Sequence, residues 1–210
     1  MICAITLAAG RSQRMGTQKM LLPFAGSTVI ARVVDAFLGV PVDQTCVVIR
    51  QGDEHVHAAL GDRPMVCVEN PDPNGDMLSS VRCGLRALPA SAETILVSPG
   101  DQPSLGPGLI RQLLAAFRVA GRPILVPVHA GRRGHPLVFA ARFRQELLTA
   151  FEGTGLRGLL AAHAHEVSEW PTTDAVVLED LDTLADYQRA TSHTNAAPPA
   201  PFLYRVGVGP

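Results

Sequence analysis

The sequence predicts one α/β domain of three layers, with helices on both faces of a mostly parallel sheet. Short apolar, β-branched runs alternate with longer stretches of helical pattern. Those runs are apolar at nearly every position, as strands are when both faces of a sheet are covered. A length of 210 residues suits one well-buried domain and would crowd two.

Taken in order, the first apolar run, Ile2–Leu7, opens the sheet, and Val29–Leu38 is the first helix. Strands at Thr45–Arg50 and Pro64–Val68 enclose a helix at Glu54–Leu60. A helix at Leu78–Ala87 leads into the strand Thr94–Ser98, and one at Gly108–Val119 into the strand Pro123–Val128. The strand His135–Phe139 follows directly, then helices at Arg142–Phe151 and Leu156–His163. The last apolar run, Ala175–Leu178, is predicted as a strand and Thr183–Arg189 as the closing helix. Residues 1–190 therefore form the domain; 191–210, rich in Ala, Pro, Ser and Thr, read as a flexible tail. Ligands of such sheets bind at the carboxyl ends of the strands, which directs attention to the loops after Leu7, Val68 and Ser98.

Composition excludes several classes. The net charge of -1 and the absence of a basic stripe argue against nucleic acid as a partner. No apolar run approaches the roughly 20 residues of a membrane helix, and no signal peptide precedes the first strand, so a cytoplasmic protein is expected. Cys3, Cys46, Cys67 and Cys83 lie apart without metal-ligand spacing and read as buried, reduced thiols.

The loop after the first strand carries the most chemistry. Lys19 is the only lysine in the chain and ends the stretch Leu7-Ala8-Ala9-Gly10-Arg11-Ser12-Gln13-Arg14-Met15-Gly16-Thr17-Gln18-Lys19. Gly10 and Gly16 let the backbone curve closely, so that successive amides form an anion site. Arg11, Arg14 and Lys19 add cations with no acidic residue between them, which suits a polyphosphate. It is neither a P-loop nor a dinucleotide fingerprint, and on spacing alone a solvated turn is an equal reading.

Further along, Asp101 lies in Pro99-Gly100-Asp101-Gln102-Pro103, a carboxylate in the turn after a buried strand, placed either to hold magnesium or to bond its own backbone. Asp182, in Glu179-Asp180-Leu181-Asp182-Thr183, is a second metal ligand or the N-cap of the last helix, with Asp180 a weaker alternative ligand. Asn70 before Pro71 offers an amide to a base edge or serves as a turn residue; Ser79 and Ser80 offer hydroxyls or amides near a helix start, or a cap. Arg132, Arg133 and His135 surround a Gly-His-Pro turn, the arginines suited to a phosphate and His135 to positioning. No Ser/His/Asp or Cys/His set suggests a protein nucleophile.

The segment Leu7 to Lys19, Gly100 to Pro103, and the Asp180-to-Leu184 ending resemble motifs of the MobA-like nucleotidyltransferases, most nearly the molybdenum cofactor cytidylyltransferase branch. The guanylyltransferase branch opens Leu-Ala-Gly-Gly, where this chain has Leu7-Ala8-Ala9-Gly10. The likeness covers nearly everything up to Ala190, although Asp76 is inserted before Met77, and Leu184 and Ala185 replace the family's proline and glutamate. It implies a Rossmann-like nucleotidyltransferase domain whose loop (Leu7, Ala8, Ala9, Gly10, Arg11, Arg14 and Lys19) wraps an NTP. Asn70, Ser79, Ser80 and Asp101 would complete the nucleotide site. Lys19, Arg14 and Asp101 would be catalytic, Asp101 and Asp182 would hold Mg2+, and Arg133 and His135 would face the acceptor. The implied donor is CTP, the acceptor Mo-molybdopterin, and a molybdenum hydroxylase the eventual client. Two alternatives remain open: transfer to another small phosphorylated acceptor, such as a sugar or polyol phosphate, and a non-catalytic carrier of the pterin cofactor.

Overall fold

The computed structural model describes residues 1–10 and 15–193. The strands are β1 (Ile2–Leu7), β2 (Pro23–Phe24), β3 (Ser27–Thr28), β4 (Gln44–Arg50), β5 (Val66–Asn70), β6 (Thr94–Pro99), β7 (Ile124–His129), β8 (Arg132–Arg133), β9 (Leu137–Ala140) and β10 (Val167–Pro171). The helices are α1 (Val29–Leu38), α2 (Glu54–Leu60), α3 (Met77–Ala87), α4 (Pro107–Val119), α5 (Arg144–Thr149), α6 (Gly155–Ala162) and α7 (Leu184–His193).

The main sheet runs β10-β7-β9-β6-β1-β4-β5. Strand β1 lies between β4 and β6, parallel to both, and β4 is parallel to β5. Strand β9 alone in this series runs against its neighbours β6 and β7, and β10 returns parallel to β7. The carboxyl ends of β5, β4, β1, β6 and β7 and the start of β9 therefore share one edge. The α/β/α architecture read from the sequence is the one observed.

Alternation along the strands builds the layers. Cys3, Ile5 and Leu7 of β1 pack with Ile95 and Val97 of β6 against Val81 and Leu85 of α3 and Leu147 and Leu159 of α5 and α6. Ala4 and Leu96 point the other way, onto Phe37 of α1 and Ile110 and Leu113 of α4. Toward β4, Val47 and Ile49 meet Ile30 and Val34 of α1 and Val56 and Leu60 of α2. Gly84 lets α3 approach β1: a Cβ there would stand 2.5 Å from the Ile5 Cγ2 methyl. Each fully buried Leu, Ile or Val contributes about 1.5–3 kcal/mol.

The fold departs from the sequence reading in several places. Ala175–Leu178 is a 3-10 turn, not a strand; Asp174 caps it by accepting from the Val176 amide, and Val177 is wholly buried. Val177 is the buried residue of this apolar run; Ala175 is exposed, and Val176 and Leu178 are half-buried. The strand in that region is β10, whose residues alternate between covered and exposed and so lack a continuous apolar signal. The predicted Arg142–Phe151 helix divides into a 3-10 turn at Ala141–Phe143 and α5, and Phe151 ends it at φ 73°. Helix α7 continues to His193, past the boundary drawn at residue 190, while 194–210 lie outside the described residues. The short hairpin β2–β3, turned through Ala25 and Gly26 at φ 47° and 80°, had no Asn-Gly or Asp-Gly signal to announce it.

Candidate active site

Strand β1 delivers its loop to the shared edge. Ala8 is buried and its amide donates to the Val48 carbonyl (2.7 Å), while Ala9 and Gly10 reach the surface of a trough. Nothing lies within 4 Å of where a Gly10 Cβ would be, so its backbone is open to a ligand. Arg11 and Arg14 lie outside the described residues. The far end of the loop is anchored twice. Gln18 Nε2 donates to Asp53 Oδ2 at 2.6 Å, and Met20 is buried against Ala8 and Ile30. Burying Met20 contributes about 1.5–3 kcal/mol and fixes the chain on either side of Lys19.

Lys19, so held, extends into the trough. Its Nζ donates to Asp101 Oδ2 and, at 3.3 Å, to Asp182 Oδ1. The side chains of Lys19 and Asp101 are each 11% exposed, that of Asp182 43%. Burial alone would depress the Lys19 ammonium, but Asp101 and then Asp182 outweigh it and hold its pKa above the usual lysine value. Lys19 is therefore a fixed positive charge at neutral pH.

Asp101 is set by the turn after β6. The Gly100 amide donates to the Leu7 carbonyl (2.8 Å), and the Asp101 carbonyl accepts from Leu181 (3.0 Å), drawing the Asp180–Asp182 segment alongside. A Cβ on Gly100 would lie 2.9 Å from the Leu7 carbonyl oxygen, so this approach requires glycine. Wholly buried Gln102 donates to Asp180 Oδ1 (2.9 Å) and the Val177 carbonyl (3.3 Å). Desolvation of its carboxyl group, then the Asp101 charge, push Asp180 up to about 6.

Of the two readings of Asp182, capping is replaced. Thr183 and Asp186 cap α7: the Asp186 amide donates to Thr183 Oγ1 (3.2 Å) and the Thr183 amide to Asp186 Oδ2 (2.7 Å). Asp182 is instead paired with Lys19. Among the described residues no group of three or more His, Cys, Asp or Glu is arranged to hold a metal. Asp101 nonetheless fits a hard cation, because its buried Oδ1 has no hydrogen-bond partner. Magnesium needs only one or two protein carboxylates when phosphate oxygens complete its shell.

Three contiguous cavities form the trough. The central one, about 200 Å³, is lined by Leu7, Gly10, Lys19, Ser80 and Asp101. On one side it shares Ala9, Gly10 and Gly75 with a cavity of about 270 Å³ that Arg50 and Asn70 close. On the other it shares Asp76 and Met77 with one of about 640 Å³, walled by Val126, Leu137, Leu156, Arg133, His135 and Arg157.

Asn70 borders the second cavity but its amide is committed. Nδ2 donates to Ser79 Oγ (2.6 Å) and Ser80 Oγ (3.0 Å), and Oδ1 accepts from the Asp72 amide (3.1 Å). The cap of α3 is Asp76, which accepts from the Ser79 amide (2.9 Å), so Ser79 is not the cap. These residues shape the loop that separates the cavities. Arg133, expected from the sequence to face an acceptor, is paired with Glu169 (2.8 Å) at the exposed edge. The His135 amide donates to the Val177 carbonyl (2.8 Å), and its buried Nδ1 has no partner. Burial pushes the His135 imidazole down; Asp101 opposes this and Arg157 adds to it.

Arg157 and Arg50 are the residues that sequence reasoning missed. Arg157 sits in the first turn of α6, lines the large cavity and has no ion-pair partner among the described residues. The one signal was its glycine-bearing entry, Gly153-Thr154-Gly155, which reads as an ordinary helix start. Arg50 is the last residue of β4, in the same edge as Leu7.

The chain is similar to several known proteins. The chain is 26% identical over 185 residues to the molybdenum cofactor cytidylyltransferase of Escherichia coli, covering 88% of this chain and 92% of that protein. It is 29% identical over 195 residues to the nicotine blue oxidoreductase of Paenarthrobacter nicotinovorans, covering 90% and 95% respectively. A bifunctional GlmU protein of Kineococcus radiotolerans matches at 35% identity over 126 residues, but the match spans 58% of this chain and only 26% of that protein. Among solved structures, Rv0371c of Mycobacterium tuberculosis superposes with a TM-score of 0.81 at 29% identity, covering 91% of this chain and 97% of that one. The model of the MobA-like NTP transferase domain matches residues 4–167, and the chain belongs to that family.

Proposed function

We propose that this protein is a nucleotidyltransferase that moves CMP from CTP to the phosphate of Mo-molybdopterin, releasing pyrophosphate and forming molybdopterin cytosine dinucleotide. The observation that carries the reading is Lys19 set beside Asp101 and Asp182 between a smaller and a larger cavity. The near full-length similarity to the Escherichia coli cytidylyltransferase supports the choice of donor and acceptor.

The base would occupy the cavity closed by Arg50 and Asn70, and the triphosphate the central one, against the amides after Leu7. The acceptor would fill the larger cavity, its ring system on Val126, Leu137 and Leu156 and its phosphate toward Arg157. Arg133 is the less suited arginine, because Glu169 already holds it. An acceptor oxygen would then attack the α-phosphorus in line, and the bond to the pyrophosphate would break. Such chemistry rests on position and charge rather than on a protein nucleophile. Lys19 offsets charge building on the phosphates, and Asp101 with Asp182 would hold Mg2+, which when bound neutralises phosphate charge. His135, neutral and fixed by its backbone bond, orients the acceptor's side of the trough.

The test is pyrophosphate release measured with each of the four common NTPs, with and without the molybdopterin acceptor. The reading expects release with CTP that requires both acceptor and divalent cation. No release from any NTP by folded protein overturns it.

A further inference from the structure

Lys19 has a second task that the transfer chemistry does not require of it. Its ammonium engages Asp101 Oδ2 and Asp182 Oδ1, the same carboxylates that suit a divalent cation. With the ammonium so placed, the buried oxygen left over on Asp101 is Oδ1. A dication at Oδ1 would sit beside a buried positive charge that is held on both carboxylates. Lys19 also lines the central cavity with Gly10, and its four-carbon stem lets the head swing while its backbone stays anchored by Gln18 and Met20.

We propose that Lys19 acts as an ionic latch: it withholds the Asp101–Asp182 pair from a free divalent cation until a triphosphate draws its ammonium away. When the ammonium transfers to phosphate oxygens, two carboxylate oxygens are released to the metal. Metal and nucleotide then bind with positive coupling, and the coupling is reciprocal. The nucleotide enters with its metal or before it, and free metal does not charge the site. The inference rests on the reading of Asp101 and Asp182 as metal carboxylates.

Binding of Mn2+ alone, followed by its electron paramagnetic resonance signal without nucleotide, tests the latch; manganese shares magnesium's preference for oxygen ligands. Wild type is compared with Lys19→Met, Lys19→Gln and the double variant Lys19→Met/Asp101→Asn, each checked for native circular dichroism. Removing the ammonium should tighten Mn2+ binding by about tenfold or more, and Asp101→Asn should abolish that gain. If the folded single variants bind Mn2+ no more tightly than wild type, the latch is overturned. That outcome is separable from failure of the transfer reading, which is tested by pyrophosphate release from wild type and not by Mn2+ binding to the Lys19 variants.

Discussion

Lys19 cannot be exchanged for the residue the chain uses everywhere else. All its other basic side chains are arginine, yet the group wedged between Asp101 and Asp182 is a compact ammonium only 11% exposed. A planar guanidinium keeps the charge but needs a wider slot and a forked partner. Lys19→Arg should therefore leave the far-ultraviolet circular dichroism unchanged and lower turnover by about a hundredfold, as loss of one well-placed charge-stabilising group does. His135 gives a second expectation at this scale. Its imidazole is held below the free value of 6.5, first by burial. The folded state thus prefers the neutral ring. That stability is complete above pH 6.5 and is lost as pH falls through the lower folded-state value. Urea unfolding between about pH 7.5 and about pH 5 should show a steeper acid loss for wild type than for His135→Asn.

Between elements, the turn at Ala175–Leu178 binds the entry to β9, Gln102 and the Asp180–Asp182 segment into one unit. Its Val177 carbonyl accepts from His135 and Gln102, and it lies against Gly134 so closely that a Cβ there would be 2.2 Å from the carbonyl oxygen. Gly134→Ala should push the turn away, lowering stability by about 1–3 kcal/mol in equilibrium denaturation. It should also loosen Asp182 from Lys19. This contact explains what could be read in advance and what could not. Ile2–Leu7 and Val29–Leu38 have the observed bounds, because an apolar run between turn residues and an amphipathic stripe are local properties. Ala175–Leu178 was misread because Val177 packs against Gly134, about forty positions earlier in the chain, which composition does not encode. In the site, Lys19 and Asp101 stood out through their glycine-bearing turns. The glycines before Arg157 read as an ordinary helix start, and only the folded cavity sets Arg157 near His135. The same holds for Asp182, whose role as cap or ion-pair partner depended on whether Thr183 and Asp186 could cap α7 by themselves.

Across the whole molecule, one sheet edge gathers the loop after β1, the turn after β6, the Asp182 segment and the entry to β9, with the small and large cavities on either side. The asymmetry of the cavities gives the trough two ends, and the carboxylate–lysine cluster lies between them. On the proposed function, transfer occurs at this cluster. No helix among the described residues is long and apolar enough to cross a membrane. The most direct measurement is acceptor-dependent pyrophosphate release from CTP by wild type and Asp101→Asn under saturating magnesium. The folded variant should lose about a hundredfold or more in kcat. An Asp101→Asn protein that releases pyrophosphate at the wild-type rate would contradict the proposed site of transfer.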